Sequence, residues 1–273
     1  MITLKVSYFI THKKAENLDS CQDAVKVNEN IARYAIADGA TRSFFPKQWA
    51  ELLVNHFCGM TDLILSQENW KEWLVPIQEE WYKYVEERVK KRNQFYLTNS
   101  LNTREPAVST FIGLEVDKTI SEWQAVIIGD SCLFHISDSG LKSYLIEKLE
   151  DFTIRPEAFA SFPERHQGAP QFIRGEIRSG DMFILATDAL AKWILEHEEV
   201  ANLDGVLNQF RQIVDGESFN QFVHKERDNE DIRLVNDDVT LMLIWVEECE
   251  SFEIEDDEQK NFSEIQISEN VET

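Results

Sequence analysis

Residues 33–41 read Arg-Tyr-Ala-Ile-Ala-Asp-Gly-Ala-Thr, and this stretch is the starting point for predicting the fold. Its apolar run at 34–37 is too short for a helix and is typical of a buried strand. Asp38 and Gly39 end the run. A carboxylate at the end of a buried strand costs free energy unless it is hydrated, hydrogen-bonded or bound to a cation, and glycine leaves its carbonyl group open to close approach. Taken alone, the pair also fits an ordinary Asp-Gly turn.

An apolar run with an aspartate at one end occurs three more times along the chain. The further aspartates are Asp130, Asp188 and Asp237, and the adjoining runs are 126–128, 182–186 and 239–244. If these four ends converge, they form a cluster of carboxylates with no nearby cation other than a metal ion. The recurrence therefore favours a metal site over four unrelated turns.

The bulk composition bounds the class of protein. The chain has 273 residues, of which 43% are hydrophobic and 28% charged, which is typical of one large globular domain or two small ones. Its net charge of −23 repels phosphates, so we expect neither nucleic acid nor a membrane as a partner. Four widely spaced cysteines form no Cys-x-x-Cys pair, which argues against a zinc site or a disulfide framework. We expect a cytoplasmic protein without a targeting or membrane-spanning segment.

Hydrophobic periodicity predicts a series of strands interrupted by helices. The predicted strands are 2–10, 25–27, 33–37, 109–116, 123–128, 132–136, 141–146, 182–188 and 239–246. The predicted helices follow Thr41 or Ser43 up to Gly59, and then cover 68–93, 189–199 and 206–214. Residues 151–170 are predicted to form a long loop and 227–231 a polar loop.

We expect one domain over residues 1–246, because no repeat or Pro- and Ser-rich linker divides it. Residues 247–273 hold eleven acidic residues and one lysine. They are predicted to form a solvated, mobile acidic tail.

Five motifs carry a family resemblance. They are Cys-Gln-Asp-Ala at 21–24, Ala-Asp-Gly-Ala at 37–40, Ile-Gly-Asp-Ser at 128–131, Leu-Ala-Thr-Asp-Ala at 185–189 and Asp-Asp-Val-Thr at 237–240. In order and approximate spacing they resemble the type 2C, metal-dependent serine/threonine protein phosphatases, and the spacing from His12 to the first motif is similar to that of the divergent bacterial branch. The resemblance spans roughly residues 5–246. It implies an α+β fold, a four-layer α-β-β-α sandwich of two antiparallel sheets flanked by helices.

The resemblance also implies a dinuclear Mg²⁺ or Mn²⁺ centre. Asp38 would bridge the two ions, the carbonyl group of Gly39 would bind one of them, and Asp188 and Asp237 would complete the ligand set. Asp130 would serve a third, weaker site. Hard oxygen ligands suit these ions. Two such metal ions together activate water for in-line attack on phosphorus. No phosphoenzyme is then needed, which fits the lack of an obvious activated cysteine or serine.

By the same resemblance, Asp23 would orient the metal-activated water. Many family members carry a phosphate-binding arginine five positions before this aspartate, where this chain has Leu18. Lys13, Lys14 and Arg42 are the candidates to replace it, although each is also explained as a solvated surface charge.

Two more positions depart from the family pattern. Well-studied family members have a general-acid histidine two residues after the bridging aspartate, where this chain has Ala40. The family usually has glycine directly after the aspartate that matches Asp188, where this chain has Ala189. His12 and His135 are the alternative acids. For His135, inside a strand, a structural role is favoured.

The resulting hypothesis is a phosphatase of phosphoserine and phosphothreonine in proteins, acting in signalling opposite a cognate serine/threonine kinase. The alternative is a catalytically inactive family member that binds phosphoproteins or regulates a partner kinase. A weaker alternative is a hydrolase of a small phosphorylated metabolite.

Overall fold

The computed structural model describes residues 2–60, 65–153 and 156–248. Most of the predicted acidic tail, residues 249–273, lies outside the described residues. The first two residues of that tail, Glu247 and Glu248, instead end the last strand. The division between domain and tail otherwise stays a prediction.

Strands and helices follow the predicted order across the described residues. The strands are β1 (Ile2–Thr11), β2 (Asp23–Asn28), β3 (Arg33–Gly39), β4 (Val108–Asp117), β5 (Glu122–Ile128), β6 (Cys132–Ser137), β7 (Gly140–Tyr144), β8 (Phe159–Ala160), β9 (Gln171–Glu176), β10 (Met182–Ala186) and β11 (Val239–Glu248). The helices are α1 (Pro46–Gly59), α2 (Trp70–Arg92), α3 (Phe95–Asn102), α4 (Asp188–Glu199), α5 (Leu203–Arg211) and α6 (Gly216–Arg227).

The strands form two antiparallel sheets. The first has the order β1-β11-β10-β6-β7, and the second has the order β2-β3-β4-β5-β9 with β8 paired to β4. Helices α1 and α2 pack on the second sheet, and α4, α5 and α6 pack on the first. The predicted α-β-β-α sandwich is confirmed.

Residues 34–37 of β3 are apolar throughout because both faces of this strand are buried. Tyr34 and Ile36 point into the core between the sheets, whereas Ala35 and Ala37 point towards α1 and α2. Alternate residues of a strand point to opposite faces. Asp38 therefore lies on the face that looks towards the other sheet.

Helices α1 and α2 bury their aromatic stripes, as the helical spacing predicts. In α2, buried tryptophans and Ile77 recur every three or four residues at Trp70, Trp73 and Trp81. Pro76 lies inside this helix, and Asn93 ends it with a left-handed conformation. The stripe is core, and not a stacking platform for a ligand.

Besides β8, which lies in the predicted loop at 151–170, three labelled elements were not predicted: α3, α6 and β9. Helix α3 buries only Leu97, and β9 is a largely exposed edge strand, so neither carries a strong apolar period. Helix α6 had a readable signal, since Asp215 and Ser218 cap each other at its start. The prediction of a polar loop at 227–231 is wrong at its first residue, because Arg227 ends α6.

The predicted loop at 151–170 is mostly irregular in its described part. It begins at the last residue of a 3-10 turn at Leu149–Asp151 and contains β8 and a second 3-10 turn at Pro163–Arg165. Among the described helices, none combines the length and the apolar character needed to cross a bilayer.

Candidate functional site

The predicted aspartates meet at one edge of the sandwich. Asp23 at the start of β2 is the direct partner of Asp38 at the end of β3. Asp130 follows β5, Asp188 follows β10, and Asp237 precedes β11. The charges of the other four all act on Asp38. The structure therefore brings together five carboxylates from both sheets.

Asp38 lies at the centre of this acidic cluster. Burial raises the pKa of its carboxyl well above the ordinary value, and the charge of Asp23 and then of Asp188 raises the pKa further. The hydroxyl group of Ser109 donates to the backbone carbonyl of Asp38 over 2.8 Å and fixes the end of the strand. A Cβ at Gly39 would lie 2.8 Å from the carbonyl oxygen of Pro46, so only glycine fits at this end of β3.

Asp23 is held by two threonines from the opposite sheet. Its Oδ2 accepts from Thr187 Oγ1 over 3.0 Å and from Thr240 Oγ1 over 2.8 Å. The backbone N–H of Thr240 in turn donates to Thr187 Oγ1 over 2.9 Å. Burial raises the pKa of Asp23 to about 7, against the opposing effect of the Thr240 hydrogen bond.

The other oxygen of Asp23, Oδ1, is buried without a hydrogen-bond partner among the described residues. Buried polar atoms are normally satisfied, so an unpaired carboxylate oxygen beside four other carboxylates needs a water molecule or a cation. This atom is an independent sign that the cluster takes a ligand.

Asp130 follows a turn that only glycine can make. Gly129 has φ +103°, and a Cβ there would lie 2.4 Å from Cγ2 of Thr110. Burial raises the pKa of Asp130 to about 7, with the charge of Asp188 as the next cause.

Asp188 opens helix α4. Its Oδ1 accepts from the backbone N–H of Ala189 over 2.6 Å. Burial and then the charge of Asp237 raise the pKa of Asp188 in spite of that hydrogen bond. Ala189 is an ordinary buried residue inside the helix, so the turn does not require the glycine that the family usually has there.

Asp237 and Asp238 have different roles. Asp238 is buried and accepts from two backbone amides, that of Lys13 over 3.0 Å and that of Gln22 over 2.9 Å. Asp237 is more exposed and pairs with Lys13 Nζ over 2.9 Å. Asp238 thus joins the loops that follow β1 and precede β2, which the sequence analysis did not foresee.

Arg227 is a further residue that the sequence analysis missed. It is buried at the end of α6, where Nη2 donates to the carbonyl oxygen of Asp237 and Nη1 donates to that of His12 over 3.1 Å. In the sequence, Arg227 is marked only as a basic residue in the last turn of α6, and that helix itself was not predicted.

The candidate substrate residues lie in different surroundings. Lys13 is in the cluster, whereas Lys14 pairs with Asp228 over 2.9 Å and Arg42 is exposed with no polar contact in the described chain. The His12 ring donates from Nδ1 to the carbonyl group of Lys13 over 2.8 Å. Roles for these residues in phosphate binding or proton transfer stay predictions.

His135 has a structural environment, as favoured from the sequence. Its Nε2 bonds to Asp181 Oδ2 over 3.0 Å, and its ring stacks on Phe183 at 4.5 Å.

The five aspartates offer only carboxylate oxygens as metal ligands, and such oxygens suit hard divalent ions. The described chain holds no set of three His, Cys, Asp or Glu side chains already closed around a metal position. Asp188 and Asp237 are engaged with the Ala189 amide and with Lys13 instead. The residues required are present, and each of these two contacts uses only the Oδ1 atom of its aspartate.

No protein-family model and no curated protein matches this sequence. Among solved structures, the catalytic domain of the serine/threonine phosphatase PstP in complex with two manganese ions matches with a TM-score of 0.58 at 14% identity, over 91% of this chain and 100% of that chain. Serine/threonine phosphatase Stp1 from Staphylococcus aureus matches with a TM-score of 0.57 at 14% identity, over 90% and 96%.

PppA, described as a key regulatory component of T6SS in Pseudomonas aeruginosa, matches with a TM-score of 0.56 at 13% identity, over 89% of this chain and 97% of that chain. At these identities the likeness shows the fold. The chain has the fold of the bacterial type 2C serine/threonine phosphatases, and the resemblance read from the five motifs is confirmed at that level.

Proposed function

We propose that this chain, with the fold of those phosphatases, is a metal-dependent phosphatase of phosphoserine and phosphothreonine in proteins. The observation that carries the proposal is the meeting of five aspartates, each predicted from a separate motif, at one edge of that fold. Their mutual effect on pKa and the unpaired Oδ1 of Asp23 support it.

Asp38, the carbonyl group of Gly39, Asp188 and Asp237 would hold two Mg²⁺ or Mn²⁺ ions, and Asp130 would serve a third, weaker site. Bound there, such ions would supply Lewis acidity and a nucleophile at neutral pH. The acidic cluster would otherwise repel a phosphate dianion. We therefore expect activity to depend on added metal.

Asp23 would position the attacking water. Thr187 and Thr240 fix its Oδ2, which leaves Oδ1 as a buried acceptor in a defined orientation. A carboxylate held in this way can accept a hydrogen bond from water and orient a lone pair towards phosphorus.

Lys13 is the best placed of the candidate phosphate ligands, and His12 is the candidate donor to the leaving group. The loop that carries both is fixed by Asp238 and Arg227. The proposed substrate is a phosphorylated protein, the proposed partner is a cognate serine/threonine kinase, and the proposed location is the cytoplasm.

The test is hydrolysis of p-nitrophenyl phosphate and of phosphoserine and phosphothreonine peptides with Mn²⁺. Asp38→Ala should lower kcat/KM at least ~100-fold, because it removes the carboxylate at the centre of the cluster. Asp231→Ala, which removes an exposed aspartate, is the control and should retain activity. Equal rates for the wild type and Asp38→Ala would remove the proposal.

Leu18 and Ala40 favour a second candidate, an inactive family member that binds phosphoproteins or regulates a kinase. Neither side chain can bind phosphate or donate a proton. A protein that binds phosphopeptides in calorimetry, yet shows neither Mn²⁺ binding nor turnover, would support this candidate over the first.

A further inference from the structure

The ammonium group of Lys13 lies inside the acidic cluster. Its Nζ is 2.9 Å from Asp237 Oδ1 and 3.1 Å from Thr41 Oγ1, and 3.8 Å from Asp238 Oδ2. Thr41 follows Asp38 by three residues. The ammonium group therefore lies between the segment that carries Asp38 and the segment that carries Asp237.

The backbone of Lys13 is anchored in place. Its amide donates to buried Asp238, and Arg227 binds the carbonyl group of the preceding residue. The Lys13 side chain is 17% exposed, whereas that of its neighbour Lys14 is 55% exposed. The ammonium group is thus tethered at the cluster, and its swing away from Asp237 is limited by the length of one side chain.

We propose that Lys13 is a tethered cation that competes with a divalent ion for Asp237, so that the cluster fills in two steps of unequal affinity. This inference rests on the proposed function, because it presumes that Asp237 is a metal ligand. It adds that Lys13 sets the affinity of the cluster for the second ion.

The competition follows from the contacts of Asp237. Lys13 Nζ lies 2.9 Å from Oδ1 of Asp237, which also accepts from the Asp238 amide over 2.8 Å, so an ion bound at Oδ2 of the same carboxylate would lie close to the ammonium group. An ammonium group and a divalent ion on the same carboxylate would repel each other, so Lys13 has to withdraw before the ion binds. Asp38, Asp130 and Asp188 form no ion pair with a lysine in the described chain, although the charges of Lys192 and Lys13 act on Asp188 and that of Lys192 acts on Asp130. An ion held by these three carboxylates therefore displaces no bound ammonium group.

Withdrawal is feasible because the pair is only partly buried. Asp237 is 41% exposed, and solvent screens its attraction to Lys13. Lysine also has a flexible stem with rotatable donors, which suits it to a change of partner. A released ammonium group would remain beside the cluster, where it can bind a phosphate oxygen.

The test is calorimetric titration with Mn²⁺ alone, with bound ions counted independently by the electron paramagnetic resonance of free Mn²⁺. Lys13→Met should tighten the weaker binding step about tenfold and change the stronger step little. Thr41→Val removes one hydrogen bond of the ammonium group but keeps the charge. It should tighten the same step by a smaller factor, about two- to threefold.

Lys14→Met is the matched control, because it makes the same change one residue away, where the lysine pairs with Asp228. It should leave both steps unchanged and so corrects for the loss of one positive charge. Circular dichroism and thermal unfolding check the fold of each variant, and Thr41→Val carries the test if Lys13→Met does not fold.

The outcomes separate this inference from the proposed function. Tightening in Lys13→Met but not in Lys14→Met supports the competition. Unchanged or weakened binding in Lys13→Met, with Mn²⁺ bound by the wild type, overturns it and leaves the metal centre standing. Binding of Mn²⁺ by none of the four proteins overturns the metal centre and the inference together.

Discussion

Thr187 and Thr240 show how single residues organise the site. Each threonine lies on the face of its strand or strand end that looks across to the other sheet, and both hydroxyl groups donate to the same oxygen of Asp23. The two sheets are therefore joined at this edge by a buried polar network in which only Asp23 Oδ1 is left for a ligand. The motifs Leu-Ala-Thr-Asp and Asp-Val-Thr contain these threonines, but only the aspartates of these motifs have a role predicted from sequence.

Thr240→Val should destabilise the protein. It leaves Oδ2 of a buried carboxylate with one donor fewer, at a cost of about 1–3 kcal/mol in the free energy of unfolding. Urea denaturation followed by tryptophan fluorescence measures this change. Thr3→Val is the control, since the hydroxyl group of Thr3 makes an exposed hydrogen bond to Glu247. A loss of stability no greater in Thr240→Val than in Thr3→Val would contradict the role of the network.

Helix α2 shows how an element was predicted correctly from periodicity. Its tryptophans follow the helical repeat, and Trp81 packs edge-on against Trp49 and Phe162. The helix covers the outer face of the second sheet, whose inner-facing strand ends carry Asp23 and Asp38. Core packing here supports the site through the sheet and not by direct contact.

Trp81→Ala and Tyr82→Ala compare neighbouring aromatics of α2. Trp81 is fully buried, so its truncation should lower the free energy of unfolding by about 3–5 kcal/mol. Tyr82 is 39% exposed, so its truncation should have a much smaller effect. Guanidinium denaturation of both variants checks the difference. Similar losses would mean that the buried stripe has been assigned to the wrong face.

At the scale of the whole molecule, the acidic cluster makes stability depend on pH. Asp23, Asp38, Asp130 and Asp188 all have a folded pKa above the ordinary value near 3.8, with burial as the largest cause. A carboxyl with a raised pKa binds its proton more tightly in the folded state. Its effect on stability is therefore neutral below pH ~4 and increasingly unfavourable as the pH rises towards 7.

We expect the protein in EDTA to lose stability from this cluster between pH 4 and pH 7, by a few kcal/mol in total. Saturating Mn²⁺ should cancel the loss, because a cation stabilises the ionised carboxylates. The thermal midpoint across this range, with EDTA and with Mn²⁺, checks both statements. Asp38→Asn should show a shallower fall with pH than the wild type, and an equally steep fall would be against this account.

Much of the fold was predictable because it depends on local signals. The runs that became β3, β10 and β11 are apolar on both faces, and the buried residues of α2 recur at helical spacing. Elements that bury little, such as α3 and β9, leave a weak pattern and were missed. Helix α6 was missed although its capping residues Asp215 and Ser218 were readable.

The sequence by itself determined the order of the main strands and helices and which five aspartates lie at strand ends. It could do so because strand ends and glycine turns depend on residues that are adjacent in the chain. Only the tertiary structure decided that Thr187 and Thr240 reach Asp23 from the other sheet, and that Lys13 rather than Lys14 lies against Asp237. Those contacts join residues far apart in the chain, such as Thr240 and Asp23, which are 217 positions apart. Packing of one sheet against the other sets them, and no local pattern encodes that packing.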